Sequence, residues 1–166
     1  MLILDGKEIM VKKTDKTSSG YQVYRKEETG WEPCYTEQSG HGYFRVWMGD
    51  YRQRGEVNAY YLHIIVYAYS CGWNRLYIMP NQVIHHMDGN KRNNDILNLV
   101  AMTNSDHAAY HQFNHSLARA ETDLMRQDYY HKMNKILAKW IIIRDRTIKK
   151  NGNYIYDLLD KKSYNG

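Results

Sequence analysis

The chain has little of what a cross-linked or membrane-spanning protein needs. It holds only two cysteines, Cys34 and Cys71, in 166 residues. They form no paired motif, which argues against a disulfide framework or a zinc ribbon and fits a reducing compartment. Long apolar runs are also missing. The longest late one, Trp140 to Ile143, is far too short to span a bilayer. Lys7 and Glu8 break the apolar start, so no signal peptide is read there. A soluble, cytoplasmic protein with no membrane partner is expected. No internal repeat and no low-complexity segment is visible.

Phenylalanine is scarce too, with 2 residues against 16 tyrosines. Tyrosine is amphipathic and suits half-buried strands and exposed stacking surfaces. Hydrophobic residues make up 43% of the chain, enough for a core. The formal net charge is +5, which favours a polyanionic partner such as nucleic acid, though charge alone decides little.

One stretch organises the rest. Val83 to Met87 is a short β-prone run entering an Asp/Gly/Asn-rich loop, Asp88 to Asn94. Leu99 to Met102 is a second apolar run. Thr103, followed three residues later by Asp106, fits a helix-starting cap. His107 and His111 then lie one turn apart on one helical face. Two antiparallel strands and a helix can aim His85, His107 and His111 at one point. Three imidazoles with an open fourth position is how a catalytic metal site is built. His85 and His86, adjacent on a strand, point to opposite faces and cannot easily share a task.

The stretch resembles the HNH endonucleases, whose site is a ββα-metal (His-Me finger) motif. The paired histidines, Asn98, His107 and His111 are similar to colicin-type nuclease domains. The phrase from His86-Met87-Asp88-Gly89-Asn90 through Asn93-Asn94 to Leu97-Asn98-Leu99 is closer to phage and homing-type enzymes. The resemblance covers roughly Gly42 to His111. It implies a metal-dependent endonuclease cutting double-stranded DNA to 5′-phosphate and 3′-hydroxyl ends, in a phage-encoded or homing context within a bacterial host. It implies His86 as the general base, His85, His107 and His111 as metal ligands, and Asn98 as the residue fixing the loop between the strands. The expected cofactor is one divalent ion: zinc, nickel, manganese or magnesium. The sequence departs from many relatives by placing His where they carry Asp and Asn, and nitrogen ligands favour a transition ion. Histidine clusters also form closed structural zinc sites, with His115 a conceivable fourth ligand. A DNA-binding module with structural zinc and no catalysis therefore stays open. So does a toxin-type nuclease acting on RNA or on any DNA.

The flanks complete an α+β expectation: a β-rich N-terminal segment (1–41), an HNH core (42–113) and a C-terminal helical extension (114–166). Residues 1–11 read as a hairpin and Tyr21 to Arg25 as a strand. Glu27 to Gly42 reads as irregular. Gly42 to Gly49 and Gly55 to Tyr61 read as two strands whose Arg45, Arg52 and Arg54 serve either as plain surface charge or as phosphate contacts. Leu62, Ile65, Val66 and Tyr69 predict a helix ending at Gly72. His63 on it is expected to pack or to bond backbone. Lys91 and Arg92, at the loop tip, are further phosphate candidates. Gln112 to Ser116 reads as a linker. Beyond it, one helix or two broken near Asp128 run to about Lys150, with Arg144 among the residues of the polar side. Tyr154 to Leu159 predicts a last helical turn. Monomer and homodimer both remain open.

Overall fold

The computed structural model describes residues 1–50, 52, 53, 55, 57–76 and 81–152. Arg54 and the expected turn at 154–159 lie outside them. The architecture is α+β, with nine strands in three antiparallel sheets and three helices among the described residues.

The first sheet joins β1 (Leu2–Leu4), β2 (Lys7–Lys13), β3 (Tyr21–Glu27) and β4 (Gly30–Pro33) in sequence order. Asp5 and Gly6, both at positive φ, make the first tight turn. The stretch read as irregular supplies two strands, β4 and then β5 (Tyr35–Gln38). Proline obscured the first of these. Pro33 is tolerated because β4 is the sheet's edge and pairs only with β3. β5 pairs with β6 (Phe44–Trp47), which pairs with β7 (Ala59–Tyr61). The third sheet is the pair β8 (Gln82–His86) and β9 (Leu99–Thr103), joined by a loop that ends in a 3-10 turn, Ile96–Asn98.

α1 (Leu62–Ser70) is the centre of the main core. Its Leu62, Ile65 and Val66 are fully buried against Val11 and Val23 of the first sheet, Val46 of the second, and Ile96 and Leu99 beside the site. Each such side chain contributes about 1.5–3 kcal/mol by leaving water. Gly72 follows α1 at φ +70, and a Cβ there would stand 1.8 Å from the Asn151 carbonyl oxygen. Only glycine allows that approach of the two helix ends.

α2 (Asn104–Ala118) runs through the expected linker. Residues 104–118 contain neither glycine nor proline, and Phe113 packs near Tyr129, their rings 6.4 Å apart. α3 (Asp123–Asn151) is one helix, unbroken at Asp128, whose carboxylate pairs with Lys132 one turn on. Thr122 caps it by accepting from the Met125 amide. Trp140 of α3 forms a smaller core with Val100 and Met102 of β9. No helix among the described residues is long and apolar enough to cross a membrane.

Candidate active site

β8 carries both neighbouring histidines. In its register with β9, His85 faces Val100 and His86 faces Leu99. Alternation along the strand sends the two side chains to opposite faces of the pair.

On one face stands a group of three imidazoles. Thr103 caps α2, its hydroxyl accepting from the Asp106 amide at 3.2 Å, and this aims the first turn back at β8. One nitrogen from each of His85, His107 and His111 lies within 4.8 Å of the others. The Nε2 atoms of His107 and His111 are 3.1 Å apart. A tetrahedral ion with bonds of 2.0–2.1 Å needs nitrogens roughly 3.3 Å apart. His85 is 8% exposed, and its buried Nε2 has no hydrogen-bond partner, an arrangement that is costly unless something binds it. Burial, and then the neighbouring His107 and His111, push the His85 pKa down to about 4. Burial followed by His111 lowers His107. Neutral imidazole is the form that ligates a metal, so these residues fit a divalent ion. The Tyr110 ring stands edge-on to His85, 4.8 Å away, and closes one side. His115 is exposed on α2 and is not part of the group.

On the other face, His86 Nε2 lies 3.1 Å from Asn94 Oδ1. The amide oxygen accepts, so Nε2 carries the proton and Nδ1 keeps its lone pair. Burial lowers the His86 pKa, against the opposing pull of Asn94 and Asp88. His63, from α1, sits with its ring 5.0 Å from His86 and with Tyr43 and Tyr61 at 5.2 and 5.7 Å. It packs there, and its Nδ1 has no partner. Burial, then His86, drives its pKa down to about 3.

Asn98 closes the loop between the strands. Its Oδ1 accepts from the Asp88 amide at 3.0 Å, and its Nδ2 donates to Asp88 Oδ1 and the Asn93 carbonyl, each at 2.9 Å. Burial would raise the Asp88 carboxyl, but donors from Asn93, Asn90 and Asn98 outweigh it and hold it low. Of the basic candidates, Lys91 and Arg92 are exposed on this loop. The Lys91 amine stands 4.6 Å over the Tyr43 ring. Arg45 is engaged, bonded to Glu37 at 2.8 Å and lying over Trp47.

Three contributors escape a sequence reading. Asn94 is 2% exposed, yet in sequence it is one more loop asparagine. Asp106, read from the sequence only as part of the helix start, also accepts from Trp140 Nε1 at 2.8 Å and Lys139 Nζ at 3.0 Å, a tie of α2 to α3 beside His107 that the sequence does not show. Arg144 does not lie on the polar side of α3. It is 3% exposed, and its Nη1 donates to the carbonyls of Ile96, Leu97 and Leu99, at 2.9–3.1 Å, around Asn98. Its spacing from Met133, Leu137, Trp140 and Ile148 places it on the apolar stripe, which was the available signal.

Residues 60–109 match the family model described as HNH endonuclease. No curated protein and no solved structure matches the chain.

Proposed function

Because residues 60–109 make this chain a member of the HNH endonuclease family, we propose that it is a metal-dependent endonuclease hydrolysing double-stranded DNA. The observation that carries this reading is the division of β8. Three imidazole nitrogens gather on one face, and a neutral imidazole with a free Nδ1 stands on the other.

His85, His107 and His111 hold one divalent ion, and their nitrogen set selects zinc, nickel or manganese over magnesium. A bound ion supplies Lewis acidity to the phosphoryl and leaving oxygens. His86 Nδ1 takes a proton from water, whose oxygen forms a bond to phosphorus while the bond to the 3′ oxygen breaks. The departing 3′ oxygen takes a proton from solvent, and His86 returns its own to solvent, which leaves a 5′-phosphate and a 3′-hydroxyl. Asn94 keeps His86 in the reacting tautomer, and Lys91 and Arg92 hold phosphates beside it. Asn98 fixes the loop that carries them. Arg54 is assigned a phosphate on its charge alone, and Arg45 can join only by leaving Glu37. The group counts three histidines among the described residues and His111 is exposed, so an ion held there would keep a position for water or substrate, which favours a catalytic role over a closed structural zinc. We assign residues 42–113 to the nuclease core, 1–41 to the N-terminal segment and 114–166 to the helical extension. A cytoplasmic, phage-encoded or homing role fits this activity.

The test is incubation of supercoiled plasmid with the full chain and a panel of divalent ions, repeated with chelator and with RNA. Metal-restored nicking or linearisation is expected. Tight metal binding without cleavage would leave only a structural module, and faster cutting of RNA would reassign the substrate.

A further inference from the structure

The first sheet lies outside the matched residues, and the reaction above does not use it. Its strands alternate cleanly. Ile9, Val11, Tyr21 and Val23 are buried. Met10, Lys12, Gln22, Tyr24, Lys26 and Trp31 are all partly or fully exposed. The register puts these six on one face, with Met10 opposite Tyr24, Lys12 opposite Gln22 and Lys26 opposite Trp31. The Lys12 amine lies 5.5 Å from the centre of the Tyr24 ring, and that of Lys26 5.8 Å from Trp31. Glu8 pairs with Lys26 at 3.5 Å, while Lys12 has no acidic partner among the described residues. Rings for bases interleaved with amines for phosphates is the chemistry of single-strand binding.

The sheet also reaches the site. Lys13, at the end of β2, donates to Asp95 Oδ2 at 2.5 Å, across to the loop that follows His86. A polar cleft of about 200 Å³ opens there, lined by Lys13, Ser18, Ser19, Arg92 and Asn94 among others. The Arg92 guanidinium has no partner among the described residues. Asn94 is the residue bonded to His86. Lys13 and Tyr21 line this cleft from the sheet's other face, so it is the end of β2, and not a continuous row of donors, that brings the sheet beside the site.

We infer that the exposed face of the first sheet is a platform for an unpaired nucleic-acid strand flanking the cut, with bases stacked on Tyr24 and Trp31 and phosphates held by Lys12 and Lys26. It rests on the nuclease reading for the origin of that strand. Stacking needs a free base face, so a single strand is the occupant and an intact duplex is not.

The test uses the full chain carrying His86→Ala, which binds without cutting, and a fluorescent oligothymidylate of about 16 nucleotides. Tyr24→Ala and Trp31→Ala should each weaken its binding by about tenfold, and Trp31→Phe should restore it. Lys12→Ala should lower the log–log salt slope by ~0.7. Binding of a duplex of equal length should hardly change. Lys12→Glu and Lys26→Glu, on exposed side chains, probe the same face if a ring variant fails to fold. Wild-type oligothymidylate affinity in the ring and charge variants would overturn the platform. So would sedimentation showing a dimer that Trp31→Ala dissociates, since the face would then be a self-contact. Cleavage with unaltered strand binding removes the platform and leaves the nuclease. Strand binding that responds to these variants in a chain that cuts nothing with any ion of the panel removes the nuclease and leaves the platform.

Discussion

The two faces of β8 hold two histidines that are hard to tell apart by type or burial. His85 and His86 are adjacent, on one strand, and 8% and 6% exposed. Their surroundings differ completely. His85 points at two more imidazoles and leaves a buried nitrogen without a partner. His86 points at Asn94, which fixes one nitrogen, and at the aromatic wall of His63 and Tyr43. A shared strand and similar burial therefore do not decide the chemistry. The partner that each face meets does so, because it determines which nitrogen is free and for what.

The largest effect that would break this comparison is expected from His107→Ala. It should reduce bound transition ion from one per chain to none by calorimetry and abolish cleavage with it. A variant that kept its ion would remove His107 from the ligand set. Next in size, His86→Ala should keep the ion and the DNA yet cut about 10²–10⁴-fold more slowly, the usual loss for a positioned general base. Metal content and plasmid cleavage rate on the same preparation decide it. Loss of the ion together with activity would mean that the two neighbours have exchanged roles.

Acid should strain the His86 face through His63. Its folded pKa of about 3 lies below the ordinary value of 6.5, so the unfolded chain binds the extra proton between them. The contribution to stability is full above pH 6.5 and is lost as pH falls from there toward 3, by up to about 1.4 kcal/mol per unit. Urea unfolding of metal-free protein at several pH values should show that slope, and His63→Phe should make it shallower, leaving the part that the buried His85 contributes. An identical slope in both proteins would place the acid sensitivity elsewhere. The smallest change is expected from Arg144→Met. Arg144 holds the junction of the loop with β9 through the carbonyls of Ile96, Leu97 and Leu99, so losing its charge-assisted bonds should cost about 2 kcal/mol of stability and should weaken metal affinity and cleavage together. A variant in which only one of the two functions fell would show that the faces are supported separately.

Local pattern carried much of this site. Thr103 with Asp106 marked the start of α2, the four-residue spacing of His107 and His111 put them on one face, and alternation separated His85 from His86. Each is a short-range rule of backbone geometry, which is why it could be read from neighbouring letters. The same rules placed α1 and its end at Gly72. They failed at β4, where a proline that would end a central strand is tolerated on an edge, and at 112–116, where polar residues continue a helix because Phe113 packs against α3.

What the sequence alone determined is thus the local part: the β8–loop–β9–α2 order, the periodicities that orient its histidines, and an excess of basic charge. Tertiary structure decided the rest. Arg144 and Asn94 look like surface residues until chain segments many positions away close over them. Arg144 bonds carbonyls 45–48 residues earlier, and the meeting of Lys13 with Asp95 spans 82 residues. Whether a polar side chain is solvated or buried against specific partners depends on what packs on it. That packing is set by the whole core: the apolar stripe of α3 marks the face on which Arg144 lies, but no short-range pattern names the carbonyls it meets, and Asn94 has no such mark at all.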